Sequence, residues 1–391
     1  MARLTDPTHP TPRADRPDAL PFSSAHVLGA GLMGRLVALA LARRGCRVDL
    51  HDAQGPQAGG AAARVAAAML APLAESAVAP APVVRMGRHA LDRWPQLLTE
   101  LAGHAAPVFF QREGTLVLWH RQDAGEAERF ARVLERTRGW IGDDLPPARP
   151  LDASGIVALE PALRGSRFAQ GLFLAGEGQL DNRALLDALH ATLAATPGVT
   201  LHWHRAVSPE DFDCGPAGRV IDCRGLGARP QWGALRGVRG EVIRVHAPDV
   251  ALSRPTRLLH PRYPLYIAPK PDGVFVIGAT EIESADMSPA SVRSTLELLS
   301  AAYAVHSGFG EARILELATH CRPTLPDNLP ALRWSAPRVL QVNGLYRHGF
   351  LIAPALLDIA LELLATGRSP LAARFGLDVA RPGAAAEGST A

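Results

Sequence analysis

Gly29-Ala30-Gly31-Leu32-Met33-Gly34 limits what this chain can fold into more than any other stretch. A short apolar strand, Ala25–Gly29, leads into it. A helical run, Leu32–Arg44, leads out, with Ala and Leu at helical spacing. Arg47–His51 then reads as a second strand with Val48 and Leu50 on one face. Strand, glycine turn, helix and strand make a β-α-β unit, which calls for a parallel sheet. Gly29 permits the tight turn, Gly31 lets backbone approach a pyrophosphate, and Gly34 lets the helix pack on the sheet. The free N–H groups and dipole of the helix N-terminus favour the anion. Asp52, after the second strand, can accept hydrogen bonds from a ribose diol. No Arg or Lys follows it directly, which disfavours a 2′-phosphate. The bland alternative is a glycine-rich turn that binds nothing, and the motif alone does not separate FAD from NAD.

The rest of the chain sets the class. Its 391 residues suggest two or three domains at roughly 150 residues each. Hydrophobic residues make up 47% and charged residues 20%, enough for a large core and too apolar for disorder. A net charge of +3 argues against a dedicated nucleic-acid binder. No metal site is expected: Cys46, Cys214, Cys223 and Cys321 form no CxxC or zinc spacing, and they fit a reduced, cytoplasmic protein. No apolar run approaches the ~18 residues of a membrane span; Leu36–Ala42 and Ile359–Ala365 come nearest.

Residues 1–24 read as a disordered extension and 381–391 as a flexible tail. Helices are expected at Val83–Leu101, Ala124–Arg138, Leu185–Thr196, Val292–Val305 and Pro354–Thr366. Val108–Trp119 is strand-like with a break at Gly114, and Arg219–Cys223 and Val339–Val342 read as strands. Glu241–Val245, Leu265–Pro269 and Val274–Gly278 form a strand-rich stretch, which suggests an antiparallel sheet in a different domain. His202 and His204 fall on one side of a strand with no third ligand, and read as surface histidines.

Three further segments carry a resemblance. The first is the small-residue run 61–71, continuing through Pro72-Leu73-Ala74-Glu75. The second is Tyr266-Ile267-Ala268-Pro269-Lys270 with Val276-Ile277-Gly278-Ala279-Thr280-Glu281. The third is Cys321-Arg322-Pro323-Thr324 through Pro330, with Gly344-Leu345-Tyr346-Arg347-His348-Gly349-Phe350-Leu351-Ile352-Ala353-Pro354. Each has a local reading of its own: an Ala-rich helix, a core tyrosine bonded to backbone, an arginine capping a surface turn. In this order, together with the fingerprint, they resemble the D-amino acid oxidase superfamily of flavoproteins. Within it they are most similar to the glycine oxidases of thiamine biosynthesis (the ThiO group). The likeness runs from Ala25 to Gly367.

The resemblance implies a mixed α/β fold. A Rossmann-like FAD-binding domain (25–82, 156–235 and 319–380) interleaves with a substrate domain built on an antiparallel sheet (83–155 and 236–318). It implies non-covalent FAD held by Gly29, Ala30, Gly31, Met33, Gly34, Asp52, Ala67, Ala68, Met69, Leu70, Gly225, Gly227, Arg322, Gly344, Arg347, His348, Gly349, Phe350, Leu351 and Ile352. Arg322 and Tyr266 would anchor the substrate carboxylate as the catalytic pair, an arginine fork being matched to a carboxylate. Met69, Ala74, Arg347 and Glu281 would line the substrate pocket, with Glu75 at its border. His348 is read as a supporting group, not a catalytic one. The implied reaction is oxidation of glycine to imine, then glyoxylate and ammonia, with O2 as acceptor and hydrogen peroxide released. Sarcosine and D-alanine are alternative substrates. A homo-oligomer, by likeness a tetramer, is implied; no nucleic acid or membrane partner is.

Departures bear on substrate choice. Ala68 stands where relatives often have Gly, His348 where Asn is frequent, and Pro264 where some carry His. Cys223 and Arg224 precede the second glycine pattern, Gly225-Leu226-Gly227. The rivals are a D-amino acid or sarcosine oxidase or dehydrogenase, a flavoprotein without turnover, and an NAD-dependent dehydrogenase.

Overall fold

A computed structural model describes residues 20–259 and 265–380. Residues 1–19, Pro264 and the expected tail 381–391 lie outside the described residues. The expected extension ends earlier than residue 24. Phe22 is buried, with the Arg219 guanidinium 5.2 Å from its ring centre. The Ser23 N–H donates to the Ala217 carbonyl, and Ser24 opens the first strand.

The β-α-β unit forms as its pattern dictates: β1 is Ser24–Leu28, α1 is Leu32–Arg43 and β2 is Arg47–His51. β1 is an interior strand of a seven-stranded sheet, next to the central one. It pairs in parallel with β2 on one side and with Gly218–Asp222 on the other. Parallel pairing continues outward to Val199–His202 and to Val339–Asn343. Ala331–Ala336 joins antiparallel near one edge. β1 and β2 bury Ala25, Val27, Val48 and Leu50, while His26 and Asp49 between them are only half-buried.

A second sheet of eight strands runs Arg313–Thr324, Arg236–His246, Val274–Gly278, Leu265–Pro269, Thr256–Leu258, Thr115–Leu118, Gln170–Leu174, Ala148–Asp152. It is antiparallel except where Thr256–Leu258 meets Thr115–Leu118 in parallel. Two strands differ from the expected division. Gln170–Leu174 falls in a stretch assigned to the nucleotide domain, yet it pairs in this sheet. Arg313–Thr324 is one strand across the expected boundary at 318, so Arg322 rides on the second sheet, opposite Val238.

The C-terminal helix is Gly349–Thr366 and begins five residues before the expected Pro354. A proline inside a helix removes the hydrogen bond to the carbonyl four residues back. That carbonyl belongs to Phe350, and the indole N–H of the fully buried Trp94 donates to it at 2.9 Å. A tertiary partner therefore satisfies the group that proline leaves open. Trp94 lies on Ala81–Leu101, which packs against the C-terminal helix in the nucleotide domain's core. The stretch Tyr346–Thr366 has a mean hydropathy of 1.8 and is long and apolar enough to cross a bilayer, contrary to the expectation that no such run exists. It is 72% buried inside the protein, as a core helix is.

Candidate functional site

One cleft opens where the carboxyl ends of the parallel strands meet the second sheet. Open α/β sheets place ligands at this end. Of the residues expected to hold a nucleotide, Gly29, Gly31, Met33, Asp52, Ala67, Ala68, Met69, Gly225, Arg322, Arg347, His348, Gly349, Phe350 and Leu351 line it. Met69, Tyr266, Glu281 and Arg347, expected around the substrate, line it too. Ala30, Gly34, Leu70, Gly227, Gly344 and Ile352 stand behind the wall. Ala74 was expected in the substrate pocket and is fully buried away from it, its N–H given to the Glu177 carboxylate at 2.7 Å. It sits on the inward side of the short helix Pro72–Glu75, while Glu75 faces the cleft.

At the nucleotide end Gly29 and Gly34 are needed for space. Gly29 has φ +90°, and a Cβ on Gly34 would come within 1.8 Å of the Gly29 carbonyl oxygen. A Cβ on Gly31 would meet only Ala61, at 3.6 Å. α1 has no side-chain cap and no acid in its first turn, so its N–H groups are open to an anion. Asp52 is held by the N–H groups of Ala30 and Gln54. Arg35 is fully buried and donates to the carbonyls of Ala30, Pro56 and Leu186, tying the fingerprint loop to its neighbours. The C-terminal helix also starts at the cleft without a side-chain cap or an acid in its first turn. A cradle with two open helix N-termini, a ribose acid and a small-residue wall fits FAD.

The other end is charged. Arg347 bonds Glu75 through Nε and Nη2 and Glu281 through Nη1. The Tyr266 hydroxyl donates to Glu75 at 3.0 Å and accepts from Arg257 at 3.2 Å. Tyr346 donates to Glu281. The cations around Glu75 outweigh its burial and hold its carboxyl down at about 2; Glu281 is lowered by Arg347 despite its own burial. Burial pulls His348 down to about 4, so it is neutral at physiological pH, 3.4 Å from Glu75. Burial also keeps the Tyr266 hydroxyl protonated.

Arg322 differs from the other two arginines. Its Nη1 and Nη2 reach the backbone carbonyls of Arg239 and Thr280. Among the described residues it makes no ion pair. A Cβ on Gly240 would lie 2.4 Å from its Nη2, so only glycine leaves room for the fork. Arg257 lies 4.0 Å from Glu75, and Arg347 pairs with Glu75 and Glu281. Arg322, at the cleft surface, is the one of the three with no carboxylate partner among the described residues.

Sequence reasoning did not find Arg257, Glu177 or Lys270. All three are polar groups buried behind the cleft wall; Arg257 and Glu177 lie on segments with no motif, and Lys270 closes the segment that begins at Tyr266. His202 is not a free surface histidine: its ring stacks on His51 at 4.4 Å and bonds Asp49 at 2.8 Å. His204 lies outside the strand, with φ +56°.

The family model described as FAD dependent oxidoreductase matches residues 25–362. A Rhizobium etli protein named as the thiamine biosynthesis oxidoreductase ThiO is 45% identical over 346 residues, which are 88% of this chain and 97% of that protein. A glycine oxidase of Pseudomonas putida is 26% identical over 366 residues, 88% of this chain and 95% of its own. The crystal structure of glycine oxidase from Geobacillus kaustophilus has the same fold, with a TM-score of 0.75 at 23% identity over 92% of this chain and 99% of that one.

Proposed function

Since the chain belongs to the FAD-dependent oxidoreductase family, we propose that it is a glycine oxidase that feeds thiamine synthesis. The observation that carries this reading is the unpaired cation at Arg322. An amino acid carboxylate would complete the charge balance of the site, two arginine N–H groups to two oxygens. Tyr266, held between Arg257 and Glu75, would flank the same carboxylate. Met69, Tyr266 and the Glu75–Arg347–Glu281 cluster crowd this end of the cleft, which favours a substrate with little or no side chain.

The pyrophosphate would lie on α1, the ribose on Asp52, and the ring system between residues 66–69 and 347–351. FAD held there would supply two-electron acceptor chemistry for hydride from the amine carbon, with O2 as the terminal acceptor and hydrogen peroxide as its product. The protein's part is to aim and to hold charge. Arg322 fixes the carboxylate and so orients the Cα–H; positioning of this kind is a large part of catalysis. Glu75 and Glu281 stay ionised and His348 stays neutral with a pKa near 4, so none is matched to take a proton near pH 7. The substrate ammonium therefore sheds its proton to water before hydride leaves. The imine is then hydrolysed to glyoxylate and ammonia or passed on as a thiazole precursor.

Four free cysteines support a cytoplasmic location. A homo-oligomer, up to a tetramer, is the assembly proposed on family likeness. The test is a panel of glycine, sarcosine, D-alanine and a bulkier D-amino acid, scored for peroxide and ammonia under air. Glycine giving both products with the highest kcat/KM supports the proposal. Turnover only with the bulkier substrate moves it to a D-amino acid oxidase, and consumption without peroxide moves the acceptor from O2 to a quinone.

A further inference from the structure

The wall of small residues has an unusual backbone. Ala68 has φ +56°, the left-handed region, where a residue with a Cβ is strained. Four carbonyls along this segment are drawn to one side. The Asn182 amide donates to those of Ala63 and Arg64. The Leu180 N–H donates to Ala68 at 3.2 Å. The Lys270 ammonium donates to Ala67 at 3.0 Å. Lys270 is nearly inaccessible, and its other two contacts are the Leu180 carbonyl at 2.8 Å and the Gln179 side-chain oxygen at 3.0 Å. Three acceptors match the three donors of an ammonium.

Lys270 sits there by strand alternation. Tyr266, Ala268 and Lys270 share one face of the strand Leu265–Pro269 and its continuation. Tyr266 lines the cleft and Ala268 packs on Ala67 and Met69, while Lys270 reaches past them to the Ala67 carbonyl. In a trans peptide the C=O and the following N–H point opposite ways. Holding the Ala67 carbonyl on the Lys270 side therefore turns the Ala68 N–H the other way. That N–H is buried and has no acceptor among the described residues, and Ala68 lines the cleft. A buried N–H without a partner is rare and points to an absent ligand.

We propose that Lys270 is a positioning residue for the flavin: by anchoring the Ala67 carbonyl it keeps the strained turn at Ala68 and presents the Ala68 N–H to an acceptor atom on the isoalloxazine edge. This rests on the ring lying against residues 66–69, as proposed above. A donor at that edge steadies the charge the ring gains on reduction.

The test is Lys270→Met, with Lys270→Gln as a milder change that keeps polarity but loses the charge. The readouts are the FAD dissociation constant, the flavin absorption spectrum and midpoint potential, and the melting temperature of the apoprotein. The expected result is an FAD dissociation constant raised by roughly tenfold, the loss of one hydrogen bond to a ligand. A shifted flavin spectrum and a lower midpoint potential should accompany it. Ala68→Gly should shrink all three effects of Lys270→Met, because glycine takes a positive φ unassisted. If either variant only lowers apoprotein stability and leaves FAD affinity and potential as in the wild type, Lys270 is a cross-link and the inference is wrong. Wild-type protein that binds FAD and is bleached by glycine, beside variants indistinguishable from it, overturns this inference and leaves the functional reading intact.

Discussion

Replacing Glu177 by glutamine should stabilise the protein, by an amount that grows with pH. Glu177 is 1% exposed, under the turn that carries Glu75. One carboxylate oxygen accepts the Ala74 N–H; the other has no partner among the described residues. Burial is the main cause that pushes its carboxyl up from 4.5 to about 7, against the pull of the Ala74 N–H and Arg257. Between those values the folded protein holds a proton that the unfolded chain has lost, so stability falls as pH rises. The displacement corresponds to about 3 kcal/mol, present in full below pH 4.5 and lost as pH passes 7. Glutamine keeps the acceptor for Ala74 and cannot ionise. Urea unfolding of both proteins at pH 5 and pH 8, with FAD at fixed saturation, should show the stability difference moving in favour of the variant by roughly 2–3 kcal/mol between the two. A difference that is the same at both values would refute the reasoning.

Other substitutions test other parts of the account. Arg322→Met should retain FAD and a yellow colour while kcat/KM for glycine falls by about 10²–10⁴, the worth of two charge-assisted hydrogen bonds, measured by peroxide release. Tyr266→Phe removes a hydroxyl that Glu75 and Arg257 share, and should raise KM by roughly fivefold, about 1 kcal/mol, with the flavin spectrum little changed. Gly34→Ala puts a Cβ against the Gly29 carbonyl and forces α1 off the sheet; the purified protein should be colourless or nearly so, and melt lower than wild type. Retention of full FAD by that variant would mean the fingerprint does not bind as described.

Much of this fold is written in local pattern. β1, α1 and β2 follow from glycine spacing and apolar alternation, and Leu265–Pro269, Val274–Gly278 and Val292–Val305 appear at the expected bounds. What was hidden depends on partners far along the chain. Arg313–Thr324 has side chains exposed on both faces at its first half, so no clean alternation marks it as a strand. The helix start at Gly349 was masked by Pro354, and it takes Trp94, far away in sequence, to satisfy the carbonyl that the proline frees. The same holds at the site. Arg322 and Tyr266 were legible through the segments that carry them. The compensation of Arg347 by Glu75 and Glu281, and the buried groups of Arg257, Glu177 and Lys270, exist only once two sheets meet. Charge balance across a cleft is a property of the fold, and no stretch of sequence records it.

The most direct measurement of the central claim is an anaerobic titration of the FAD-loaded protein with glycine, followed by its visible absorbance. The flavin band should bleach fully with glycine and return on admission of air with one peroxide per glycine consumed, and Arg322→Met should bleach only at glycine concentrations higher by about two orders of magnitude or more. A wild-type flavin that glycine does not reduce, or an Arg322→Met variant that bleaches at the wild-type concentration, would contradict it.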